Sequence, residues 1–133
     1  MKAIADTGFL VAFLNRRDRY HAWACELARQ IDAPLPTAEA VLAETAFHVG
    51  SAEHALALVR QGMLIVDFDF SASLSRLDQL ARRYADRSPD LADLCLICLS
   101  ERYPKRPVLT VDGDFLIYRR HQRERIPVIM PEV

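Results

Sequence analysis

Glycine and cysteine are scarce in this chain of 133 residues, with four and three copies, and of its 17 basic residues only Lys2 and Lys105 are lysine. An odd cysteine count excludes a closed disulfide framework. Cys95 and Cys98 form a lone C-x-x-C, and a zinc ribbon would need a second pair. Because they fall inside an apolar helical run, they read as two small residues on one buried helix face. No run approaches the roughly 20 apolar residues that span a bilayer. Met1-Lys2 leads straight into a strand pattern containing an acid, so no signal peptide is expected and the expected location is cytoplasmic. The net charge of -1 excludes a uniformly basic surface, and any nucleic-acid contact must use a local patch. The bias toward arginine has two readings: a coding preference, or the use of a planar fork that donates two parallel hydrogen bonds to phosphate.

What remains is a globular composition, 51% hydrophobic and 26% charged. A chain of this size forms one domain, residues 1–133, and buries about two thirds of its unfolded surface. Strand and helix patterns alternate, as in a parallel sheet. Lys2 to Asp6 reads as a strand and Gly8 to Leu14 as a short helix. Tyr20 to Ile31 is amphipathic, with Trp23, Leu27 and Ile31 on one side. Pro34 and Pro36 allow a short extended stretch. Thr37 is the expected N-cap of a helix stopped by Gly50; Ser51 caps the next, which ends at Gly62. Met63 to Asp67 is a strand, and Ser71 to Tyr84 a helix with Leu74, Leu77, Leu80 and Ala81 as its buried stripe. Ser88-Pro89 predicts the start of a helix reaching Arg102, apolar on nearly all sides and therefore central. Val108 to Val111 and Ile126 to Met130 complete the strands. The expected fold class is α/β, a three-layer α/β/α sandwich with a mainly parallel central sheet.

Against this frame, Asp6, Glu44, Asp93 and Asp112 stand out. Asp6 and Asp112 each close a strand pattern, and parallel strands put their carboxyl ends on one edge, where open α/β folds place ligands. Glu44 and Asp93 lie in apolar helical stretches, where an uncompensated carboxylate is costly to bury. Each has an ordinary reading as well. Asp6 can cap the helix after it, Glu44 can sit on a solvated edge, Asp90 and Asp93 can complement a helix dipole, and Asp112-Gly113-Asp114 can be a turn. Their joint placement points further: hard oxygen ligands with little His or Cys nearby suit Mg²⁺ or Mn²⁺. His21, His48, His54 and His121 are scattered and read as surface or interface residues. The pairs Arg16-Arg17, Arg82-Arg83 and Arg119-Arg120, with Arg87, are candidates for guiding an RNA backbone, or simply a solvated surface.

Several segments taken together resemble the PIN-domain family, in particular its short VapC-like toxins of type II toxin–antitoxin modules. They are Ile4-Ala5-Asp6-Thr7-Gly8 with Leu10 to Asn15 and Asp18-Arg19-Tyr20-His21; Val41-Leu42-Ala43-Glu44; Asp90-Leu91-Ala92-Asp93; and Leu109-Thr110-Val111-Asp112-Gly113-Asp114-Phe115. The similarity spans essentially the whole chain in the family's order. It implies a metal-dependent endoribonuclease with Asp6, Glu44, Asp93 and Asp112 as catalytic acids. Asp6, Asp93, Asp112 and the less constant Asp114 would hold Mg²⁺ or Mn²⁺. Thr7, Thr110, Arg16 and Arg87 are candidates for substrate binding. The implied partners are an RNA substrate, a cognate antitoxin protein and a second copy of the chain in a homodimer, with no membrane. A phosphoacceptor domain would need a lysine at a late strand end, which is missing. A catalytically silent PIN-like protein that binds RNA or a partner is the alternative, and the presence of all four acids argues against it.

Overall fold

A computed structural model describes residues 1–132; Val133, the last residue of the expected domain, lies outside them. The described chain is α/β, with six α-helices and a small, mostly parallel sheet. The sheet is split. Strands β1 (Ile4–Ala5), β4 (Val108–Leu109) and β7 (Val128–Ile129) pair in parallel in the order β1-β4-β7. A separate parallel pair, β2 (Leu35–Thr37) and β3 (Leu64–Val66), runs beside β1. A small antiparallel hairpin joins β5 (Arg119–Arg120) to β6 (Glu124–Arg125).

The strands are shorter than the sequence pattern predicts, and β1 and β4 end just before the segments that carry the acids. Ile4 pairs with Val108 and Ala5 with Leu109, and the next residue along β1 is Asp6. Since these strands are parallel, Asp6 and the Thr110-to-Asp112 segment leave the sheet at the same edge. All four residues of the β1–β4 pair are fully buried, which is why they read as continuous apolar runs instead of an alternating pattern.

Helix α6 (Leu91–Arg102) is the centre of the fold. Leu96, Ile97 and Leu99 are inaccessible to solvent, and each stabilises the fold by about 1.5–3 kcal/mol through burial. Around α6 lie α3 (Glu39–Val49), α5 (Leu74–Arg83), β1, β2 and β5. Helix α1 (Thr7–Leu14) packs against α2 (His21–Ala28) and α3. Gly50, in the left-handed region at φ 73°, ends α3 and lets α4 (Ala52–Arg60) fold back on it.

Three local expectations are corrected. Thr37 is the last residue of β2, fully buried, and the N-cap position of α3 is Ala38. Ser88 closes a short 3-10 turn in the left-handed region, and Asp90 caps α6 instead, its side chain accepting the Asp93 N–H. Asp at this position also meets the positive end of the helix dipole. Leu74, expected in the buried stripe of α5, is 57% exposed, because it sits at the first residue of that helix. No helix among the described residues is long and apolar enough to cross a membrane.

Candidate functional site

At the carboxyl edge of β1 and β4 a cleft of about 410 Å³ opens, lined by Asp6, Glu44, Asp90, Asp93 and Asp112 together with Thr7, Asp18, Arg19 and His48. The four acids singled out in the sequence thus come from β1, α3, the first turn of α6 and the end of β4 into one cavity.

Asp6 is 5% exposed and held by two bonds. One oxygen accepts the Thr7 N–H at 2.7 Å, so the ordinary capping role is real, while the other accepts the Thr110 hydroxyl at 2.6 Å. The Thr110 oxygen in turn accepts the Asp112 N–H at 2.9 Å, and the Asp112 carboxylate accepts the Asp114 N–H at 2.9 Å. Tyr118 donates its hydroxyl to Asp93 at 3.0 Å from the core side. Gly8 makes the close approach of α1 to this edge possible: a Cβ there would lie 2.4 Å from Cγ2 of Val111.

Oxygen atoms of Asp93, Asp112 and Asp114 all lie within 4.8 Å of one another, the one such group of possible ligands among the described residues. Asp6 stands outside that trio, its two oxygens drawn toward Thr7 and Thr110. Of the two readings of Glu44, an apolar face or a solvated edge, the second is nearer: its side chain is 37% exposed, because α3 turns that face to the cleft.

Among the described residues no cation pairs with the buried acids Asp6 and Asp93, and their proton affinities rise. Asp93 is pushed up to about 8, by burial first and then by Asp90, Asp6 and Asp112, against the lowering bond from Tyr118. Asp6 is raised to about 6, by burial and by Asp112 and Asp90, in spite of Thr110 and Thr7. Glu44 is raised by burial and then by Asp90. Desolvation plus like charge in a cleft is the usual signature of a functional site.

The remaining candidates divide. Thr7 lines the cleft, and its hydroxyl oxygen is buried without a hydrogen-bond partner. Thr110 is fully buried and engaged with Asp6, so it positions a carboxylate and does not face a substrate. Arg87 does not line the cleft and pairs with Asp114 at 3.4 Å. Arg16 is exposed beyond the end of α1 and does not line the cleft, whereas Arg19 does. Arg119 and Arg120 are taken up internally. Arg119 bonds the carbonyls of Leu116, Ile117 and Tyr118; Arg120, 5% exposed, bonds Ser100 and Glu124.

Two contacts in the cleft are not evident from the sequence. Asp90, which reads there as a helix-dipole acid and as part of the Asp90-to-Asp93 segment of the resemblance, also faces Glu44. His48 lies one turn beyond Glu44, with Nε2 4.0 Å from its carboxylate, and the i, i+4 spacing was a signal available in the sequence. Cys95 and Cys98 behave as apolar residues, their thiols pushed up to about 11 and about 12 by burial. No family model matches the chain, and no curated protein matches it.

Proposed function

We propose that this chain is a PIN-like, VapC-like endoribonuclease that hydrolyses RNA phosphodiester bonds with Mg²⁺ or Mn²⁺. In this reading the split parallel sheet is the middle layer of a three-layer α/β/α sandwich. The observation that carries the proposal is the convergence of Asp6, Glu44, Asp93 and Asp112 from four separate elements on one cleft at the carboxyl edge of parallel strands.

The donor set fits a hard divalent ion. It is all oxygen, and Asp93, buried among like charges, has a raised proton affinity that an ion of opposite sign would reverse. Asp93, Asp112 and Asp114 would hold it, with Asp6 beside them. When bound, such an ion supplies Lewis acidity toward phosphoryl oxygen and acidifies a water.

The chain's own groups do the rest. Tyr118 fixes the Asp93 carboxylate, and Thr110 fixes Asp6 relative to Asp112. Glu44, its proton affinity raised beside Asp90, accepts the proton of the attacking water. A cleft of about 410 Å³ has room for one nucleotide. Because water and not the ribose hydroxyl attacks, the products carry a 5′-phosphate and a 3′-hydroxyl. The same reading makes the partners an RNA, a cognate antitoxin and a second copy of the chain, and the compartment the cytoplasm.

The test is cleavage of a structured RNA by purified protein with Mg²⁺ or Mn²⁺, halted by EDTA, with the new ends mapped. Absence of cutting with both ions, or products ending in a 2′,3′-cyclic phosphate, would overturn the reading.

A further inference from the structure

A second hollow, of about 560 Å³, lies between α5 and the β5–β6 hairpin, lined by Arg76, Gln79, Arg83, Gln122 and Arg123. We propose that it is an anion site that seats a phosphodiester group of a single RNA strand, away from the bond being cut. The assignment rests on the ribonuclease reading for its choice of ligand, and on the walls of the hollow for its existence.

Those walls are fixed. Arg76 is clamped to Glu101 of α6 by two bonds of 2.9 and 2.7 Å, and it also reaches Gln79 at 3.2 Å. Glu101 accepts the backbone N–H of His121 at 2.6 Å, and Arg83 donates to the carbonyl of Gln122 at 2.5 Å. These two bonds hold the hairpin tip, where His121 and Gln122 both take the left-handed backbone, at φ 47° and 71°. Two successive non-glycine residues in that region are unfavourable for L side chains. A turn of this kind persists only where its surroundings impose it.

The electrostatics select an anion. No acid lines the hollow, and Glu101 behind it is matched by Arg76. Among the described residues Arg123 has no carboxylate partner, and Arg83 spends one amino group on a neutral carbonyl. Two guanidinium forks and two side-chain amides therefore face one space, a donor set suited to phosphate oxygens. With no aromatic side chain in the lining, the hollow has nothing on which a base would stack, so the backbone is the part of the strand that it takes.

Its position relates it to the acids. The Arg83 guanidinium lies 5.4 Å over the ring of Tyr84, whose centroid is 5.0 Å from that of Tyr118, and Tyr118 bonds Asp93. Both rings are buried, so this link runs through the core and holds the hollow and the acidic cleft on one rigid frame.

The experiment measures binding of a 5′-labelled single-stranded oligoribonucleotide by fluorescence anisotropy in EDTA, so that no cutting intervenes. Wild type is compared with Arg123→Gln, Arg123→Glu and, on the far helix α4, Arg60→Gln. Arg123→Gln should weaken binding about 3–10-fold and lower the salt slope by about 0.7, the loss of one contact to a single strand. Arg123→Glu should weaken it further, Arg60→Gln should leave it unchanged, and all should melt like wild type. In cleavage, Arg123→Gln should raise KM and leave kcat alone. If both Arg123 variants keep wild-type affinity and slope, or if polyglutamate competes as well as RNA, the phosphate assignment fails while the nuclease reading stands. If wild type cuts no RNA yet Arg123→Gln loses affinity, the nuclease reading fails and the anion site stands.

Discussion

Helix α6 carries an acid near each end, and the two behave in opposite ways. Asp93, in the first turn, is 8% exposed and has acids for neighbours, which together with burial hold its carboxyl far above the ordinary range. Glu101, near the last turn, is 13% exposed, and burial would raise it too; the bidentate bond from Arg76 and the His121 N–H outweigh burial and bring it below the ordinary range. One helix thus shows both answers to a poorly solvated carboxylate. Glu101 is matched inside the chain and ties α5 and the hairpin to the core. Asp93 has no such partner among the described residues, and under the proposed function that cost is what a bound cation would offset.

The largest effect should come from neutralising each in turn. Asp93→Asn should lower RNA cleavage by at least about 10²–10³-fold, and should raise the melting temperature of the metal-free protein. Glu101→Gln should leave cleavage chemistry in place and cost about 1.5–3 kcal/mol, since it breaks charged hydrogen bonds. Denaturant melts and initial rates of both variants measure the contrast, and a stabilised Glu101→Gln would break it.

Acidity sharpens it further. Asp93 binds its proton more tightly folded, near 8, than unfolded, near 3.8, and Asp6 does so near 6. Their contribution in the metal-free protein is full below about pH 4 and is lost as pH rises through about 6 and about 8. Glu101 has the reverse sign, and its contribution is lost as pH falls below the ordinary carboxylate range. Melting curves from pH 4 to 9 should show an alkaline decline that Mn²⁺ removes, that Asp93→Asn flattens and that Glu101→Gln leaves in place.

Smaller effects test the supports. Gly8→Ala should cost about 1–3 kcal/mol by overpacking against Val111, and cleavage should fall with it as the β4 end shifts. Tyr118→Phe removes the bond that lowers the Asp93 proton affinity. It should move proton release on metal binding to higher pH, at about 1 kcal/mol in stability; calorimetry in buffers of different ionisation enthalpy reads this.

The alternation of strands and helices was legible because apolar runs bounded by Gly, Pro and acids mark it, and the centrality of α6 followed from its apolar sides. The four acids were legible for a related reason: each interrupts an apolar segment at a place where burial penalises it. The contact of Asp90 with Glu44 was not, because a side chain that caps its own helix satisfies a local rule and conceals what it faces across the cleft. Arg120 was hidden in the same way, its burial against Ser100 depending on a chain reversal 20 residues away. The division of the sheet was illegible too, since pairing between short strands is decided by packing and not by the strand residues themselves.

Thr110 gives and receives one hydrogen bond through a single oxygen, on one side to Asp6 and on the other from the Asp112 backbone. Two acids separated by most of the polypeptide therefore share one mechanical reference, and neither can drift without tugging its counterpart. Serine at this position would keep that synchrony, whereas valine, of nearly the same shape, would leave a folded protein whose two strand tips wander independently.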